Sequence, residues 1–244
     1  MMVEVDGAQL YVEVAGDGPP LLDVSGSGSA LNALTAPAAS PLKASFTVAG
    51  YDHRGLGRST SEDRELSMAD FAADGFAVAD ALGWTEFVLV GTSFGGMVAQ
   101  QMAVAQPARI TRLVLCCTSS GGAGGSSYPL HTRPSPADLA TLIDTRPDVA
   151  ASLMEMLGDR EVPREPAFER QLRARARHDV WASLPSVSAP TLVACGRYDG
   201  IAPLENGKAI AARIPDARLE VFDGGHAFMF QDPRAWPTVL EFLT

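Results

Sequence analysis

No stretch of this chain approaches the roughly 20 consecutive apolar residues of a membrane span, so a transmembrane anchor is not expected. The opening Met1-Met2-Val3-Glu4-Val5-Asp6 lacks a basic region followed by an apolar core. No signal peptide is expected, and the default location is cytoplasmic. Cysteine is scarce, with three among 244 residues. Cys116, Cys117 and Cys195 lie in apolar, strand-like runs, which points to buried thiols rather than disulfides. C-x-x-C and H-x-x-x-H spacings are missing, and no metal site is expected. Positive charge is also short: 19 Lys and Arg stand against 29 Asp and Glu, a formal charge of −10. An acidic surface argues against nucleic acid or anionic membrane as a partner. There is no internal repeat.

What remains is ordinary for a soluble globular protein, 46% apolar and 20% charged. Alternation at Val3, Val5, Leu10, Val12 and Val14 around Asp6-Gly7 predicts an edge hairpin. Short apolar strands are expected at 21–24 and 46–51. Ser67 is placed to cap a helix reaching about Leu82, with Asp70 in its first turn and Gly83 at its end. Strands follow at 86–90 and 113–117, the second apolar throughout, as in a parallel sheet buried on both faces. Beyond Thr118 the texture changes to a Gly/Ser connector. From Ser135 to Leu184 there is no strand pattern; three helices are expected, after Pro136, after Pro147 and from about Pro166 to Leu184. Strand–helix alternation resumes at 191–195 and 219–222, with helices near 204–214 and 233–243. This predicts an α/β fold with a mostly parallel central sheet and helices on both faces. The core would be 1–118 and 185–244, interrupted by a helical insertion over 119–184.

Within that frame Gly91-Thr92-Ser93-Phe94-Gly95 is the most informative stretch. It follows an apolar strand and precedes a helix-like run that Pro107 brings to a stop. A serine in G-x-S-x-G at a strand–turn–helix junction is a candidate nucleophile. The flanking glycines let strand and helix approach closely. A serine hydroxyl needs an imidazole to take its proton, and the imidazole needs a carboxylate to orient it. His226, in a Gly-rich loop after the last strand, is the preferred base over His53, His131 and His178. Asp199, following the strand at 191–195, is the preferred acid. Asp223 is the alternative, although its position three residues before His226 suits a turn former better. His178 and Trp181 in the insertion and Phe228 after the histidine are candidates for lining a substrate pocket, roles in which ordinary packing competes.

Four motifs in this order resemble the α/β-hydrolase superfamily and its enol-lactonase and esterase-like branch. Tyr51-Asp52-His53-Arg54-Gly55-Leu56-Gly57-Arg58-Ser59 is similar to the family's D-x-R-G-x-G-x-S stretch, and Gly91–Gly96 to its elbow. Gly196–Pro203 and Gly225-His226 are similar to its acid and histidine loops. The insertion corresponds to the family's variable cap. The resemblance implies a cofactor-free serine hydrolase acting on a small to medium carboxylic ester or lactone. In that reading Ser93 is the nucleophile, His226 the base and Asp199 its orienter. The backbone N–H groups of Phe94 and Ser27 would form the oxyanion hole. A carbon–carbon bond hydrolase, a cofactor-free lyase and a non-catalytic small-molecule receptor on the same scaffold are the alternatives. One departure stands out: relatives open the oxyanion loop with His-Gly, and this chain has Ser25-Gly26.

Overall fold

The computed structural model describes residues 1–157 and 165–244. Eight strands form one sheet: β1 Met2–Val5, β2 Ala8–Ala15, β3 Pro20–Val24, β4 Thr47–Tyr51, β5 Phe87–Thr92, β6 Ile110–Cys116, β7 Thr191–Gly196 and β8 Ala217–Phe222. Their order is β1-β2-β4-β3-β5-β6-β7-β8. The β1–β2 hairpin turns through Asp6-Gly7, with Gly7 at φ 69°, where a Cβ would be strained. From β4 to β8 every pairing is parallel.

Side chains alternate across this sheet, and the alternation builds two cores. Leu22, Leu89, Leu113, Leu115 and Val193 face helices α1 (Met68–Ala81), α2 (Phe94–Ala105) and α6 (Leu204–Arg213). Their sequence neighbours Leu21, Val88, Val114 and Leu192 face the opposite side and meet Val239 and Leu243 of α8, Ala235–Leu243. Period-two patterning on a sheet buried on both faces produces this division. Helix α1 starts where Ser67 and Asp70 complete a capping box. The buried thiols of Cys116, Cys117 and Cys195 are free. Among the described residues, no helix is long and apolar enough to cross a membrane.

Three details differ from the sequence pattern. Helix α2 begins at Phe94, directly after the candidate nucleophile, rather than near Met97. A short helix, α7 (Phe228–Gln231), precedes α8. Within 119–184 lie α3 (Pro136–Ile143), α4 (Pro147–Leu157) and α5 (Pro166–Ala176); residues 158–164 of that stretch are outside the described residues. The expected third helix stops eight residues early. After Arg177 the chain leaves the helical path, because Val180 N–H donates to Ser120 O at 2.9 Å and Asp179 Oδ1 accepts from Trp181 N–H at 3.1 Å. The residues to 186 form a 3-10 turn containing Pro185.

One ion pair is buried in the core side of this frame. Arg54 Nε donates to Asp74 Oδ2 at 2.7 Å, tying the loop after β4 to α1. Removing one partner strands the other charge in a low dielectric. Arg54→Met is therefore expected to cost about 3–5 kcal/mol in urea unfolding, whereas Arg54→Met with Asp74→Leu should recover most of that loss. Equal destabilisation in the single and double variants would contradict this account.

Candidate active site

The carboxyl ends of β5, β7 and β8 bring three distant side chains together. Ser93 caps α2 at φ 57° and ψ −114°, a conformation that non-glycine residues rarely adopt. Its N–H donates to Cys116 O at 2.8 Å, and its carbonyl accepts from Gly96 N–H, Met97 N–H and Thr118 Oγ1. The turn closes because its glycines have no Cβ. A Cβ at Gly95 would collide with Val24 O, and one at Gly91 would lie 2.7 Å from Ala99 Cβ.

His226 Nε2 stands 2.9 Å from Ser93 Oγ, and His226 Nδ1 stands 2.8 Å from Asp199 Oδ2. Asp199 is buried, and its other oxygen accepts from Ile201 N–H and Ala202 N–H, each at 2.8 Å. With a carboxylate on Nδ1, the imidazole holds its proton there and turns Nε2 as an acceptor toward the hydroxyl. Asp223, the other acid considered, is 67% exposed at its side chain and faces Arg146. The Cys117 sulfur lies close to Asp199 and His226. Burial, and then the Asp199 charge, push the Cys117 thiol well above its ordinary range.

The loops carrying the acid and the histidine are held by a segment whose part the sequence did not signal. His226 N–H donates to Ile143 O at 2.6 Å, Gly200 N–H to Leu142 O at 2.9 Å, and Thr145 N–H to Tyr198 O at 2.9 Å. Asp144 accepts from Gln231 Nε2, and Gln231 Oε1 accepts from Gly225 N–H. The end of α3 thus clamps both loops through backbone groups, which any residue type supplies.

The loop after β3 passes over Ser93: a Cβ on Gly26 would sit 3.5 Å from Ser93 Cβ. Phe94 is the first residue of α2, where N–H groups have no intrahelical acceptor. Among the described residues, no group accepts from Ser27 N–H. Gly28 N–H donates to Gln171 Oε1 at 2.8 Å. Ser25 is held from outside its own loop. His53, fully buried against Tyr51, Phe71 and Phe94, donates from Nε2 to Ser25 O at 3.0 Å. Its neighbour Asp52 accepts from the Leu31 and Arg58 N–H groups and so anchors the far end of the same loop.

A cavity of ≈ 450 Å³ opens beside Ser93 and His226, walled by the 25–29 loop, Ile143, Ile201, Met229 and Trp236, with Asp23 also in the lining. The three residues considered for a pocket lie elsewhere. His178 is buried beside a separate cavity of ≈ 240 Å³ with Ser119 and Arg175. Trp181 packs on Gly124 and beneath the Arg213 guanidinium. Phe228 is fully buried and stacks on Phe222 at 5.0 Å, as core.

A parallel α/β sheet with a strained serine, an imidazole and a carboxylate at one edge is the layout of a hydrolase. The comparisons agree. Residues 24–236 match the family model described as "Alpha/beta hydrolase family", and the chain belongs to that family. It is 27% identical over 263 residues to the poly(3-hydroxyalkanoate) depolymerase of Ectopseudomonas oleovorans, covering 99% of this chain and 91% of the relative. It is 28% identical over 254 residues to a Variovorax paradoxus protein named "Putative carbamate hydrolase RutD", covering 96% of each. The solved enol-lactonase of Burkholderia xenovorans LB400 superposes with a TM-score of 0.80 at 22% identity, over 100% of this chain and 99% of that one, and so shares the fold.

Burial lowers His53 to about 4, and His178 likewise, so both rings are neutral at pH 7. In the unfolded chain they titrate near 6.5. The unfolded state therefore binds protons that the folded state does not, and stability falls as pH drops from about 6.5 toward 4. Burial raises Asp23 to about 6, which opposes that loss as pH falls below 6. His53→Gln keeps a donor for Ser25 O and removes one titrating group. Between pH 7 and about 4.5 it should lose less stability than the wild type by up to about 3 kcal/mol in urea unfolding. Identical pH slopes would contradict the burial argument.

Proposed function

We propose that this chain is a cofactor-free serine hydrolase that cleaves a small to medium carboxylic ester or lactone through an acyl-serine. The observation that supports this most is the continuous chain Ser93–His226–Asp199, with links of 2.9 and 2.8 Å, at a serine of strained backbone geometry. Ser93 Oγ attacks the carbonyl carbon while His226 Nε2 takes its proton. The carbonyl electrons move to oxygen, where the Phe94 and Ser27 N–H groups receive them. The tetrahedral centre collapses, and His226 returns the proton to the departing alcohol oxygen. Water then repeats the sequence on the acyl-serine, releasing the acid and restoring Ser93. Asp199 orients the imidazole and stabilises the imidazolium. The stretch 119–184 serves as a cap over the cavity.

The depolymerase relative is named for a polymer of hydroxyalkanoate units, in which the linkages between units are esters. The carbamate hydrolase name of the second relative marks a neighbouring chemistry that the same acyl-transfer steps can serve.

The discriminating experiment is a fluorophosphonate probe together with a panel of aryl esters, lactones, enol-lactones and a carbamate. Labelling is expected on Ser93, absent in Ser93→Ala and strongly reduced in His226→Ala. Asp199→Asn should lower turnover about 10⁴-fold, the scale set by replacing a triad acid. Unlabelled wild type that still binds a ligand tightly would point to a receptor. A near-wild-type rate in Asp199→Asn would remove the carboxylate from the mechanism.

A further inference from the structure

Asp23 stands where the sheet calls for an apolar residue. Its neighbours Leu21, Leu22 and Val24 are fully buried, and it lies opposite Gly50 on β4 and Val90 on β5. In a parallel pairing it shares a face with Val90 and Thr92. At its upper end that face opens into the cavity containing Ser93 and His226, whose lining includes both Asp23 and Thr92.

Among the described residues, this carboxylate has no counter-ion. Neither lysine nor arginine is among the described residues that line the cavity, and His226, the other titratable group among them, is committed to Asp199 and Ser93. Three described cations on this side of the molecule are engaged elsewhere: Lys43 with Ala38 O, Arg146 with Asp144, Arg234 with Asp232. Burial alone acts on the Asp23 carboxyl, raising it to about 6. At pH 7 it is still largely ionised.

We infer that Asp23 is a specificity-determining counter-ion, selecting substrates that carry an ammonium group remote from the scissile carbonyl. This rests on the reading of Ser93 as nucleophile. Val90 faces Asp23, and Ser93 follows three residues later, at about 3.3 Å per strand residue, so the charge sits roughly 10 Å from the reacting carbon. That span fits an ammonium about four bonds from the carbonyl in contact with the carboxylate. An uncompensated negative charge there also opposes the developing oxyanion. At an effective dielectric of about 20 and a separation of about 10 Å, the effect on rate is about tenfold. A bound ammonium cancels it, and a neutral substrate does not. The substitution of Asp23 should therefore act with opposite sign on the two kinds of ester, which a merely structural role would not produce.

The test uses two isosteric pairs. The first is p-nitrophenyl 4-(trimethylammonio)butanoate against p-nitrophenyl 5,5-dimethylhexanoate. The second is acetylthiocholine against S-(3,3-dimethylbutyl) thioacetate. In at least one pair the kcat/KM ratio of cationic to neutral ester should fall about tenfold or more in Asp23→Asn, chiefly through KM for the cationic member. The neutral member should be hydrolysed faster by Asp23→Asn than by the wild type. Asp23→Glu should retain part of the cation preference. Unchanged ratios in both pairs would overturn the inference. Binding separates its failure from that of the serine reading. In the Ser93→Ala background, calorimetry with 4-(trimethylammonio)butan-1-ol should show a Kd about tenfold weaker when Asp23→Asn is added. An equal Kd would overturn the role of Asp23 whatever the fate of Ser93.

Discussion

Everything at the reacting edge depends on the backbone of Ser93 being held at positive φ. A non-glycine residue in such a conformation costs of order 1–3 kcal/mol, and the surrounding contacts over-determine it. Cys116 takes its N–H, and Thr118 and the first turn of α2 take its carbonyl. The absence of a Cβ at Gly91 and Gly95 lets β5, α2 and the end of β3 crowd the turn. The result is a hydroxyl lifted clear of the sheet, directed at an imidazole, with the N–H of Phe94 beside it. A relaxed turn would swing the side chain into the sheet and leave His226 without a partner.

The second arm reaches the same point by different means. Asp199 is positioned by two backbone N–H groups that follow it, and so by its own loop. His226 is positioned largely by the end of α3, through Ile143 O and through the Asp144–Gln231–Gly225 relay. Residues 142–145 therefore act directly on the proposed site. They supply the clamp that holds the acid loop and the histidine loop in register, which couples the end of α3 to the geometry of the proposed chemistry.

The features legible in the sequence were those carried by local pattern. Alternating apolar residues reported the strands, Ser67 with Asp70 reported a helix start, and Gly91–Gly95 between strand and helix reported the elbow. His226 and Asp199 were legible because each follows a strand on the same edge of a parallel sheet. What escaped was carried by tertiary contact. Nothing local ends α5 at Ala176; the Val180–Ser120 bond does. Nothing local shows that His53 reaches back to Ser25. The clamp at Leu142–Thr145 uses main-chain atoms, which leave no residue signature. Asp23 could have been noticed as a lone charge in an apolar strand, but only the cavity shows what it faces.

The central claim is that Ser93 becomes covalently acylated during turnover. Rapid acid quenching within the first turnover of an activated ester, followed by intact mass measurement and peptide mapping, tests it directly. The account predicts a transient gain of one acyl group on the peptide containing Ser93, decaying as the free acid appears. Sustained turnover with no acylated protein at any time, where the ester's deacylation is slow enough to trap, or with the acyl group on a peptide lacking Ser93, would contradict it.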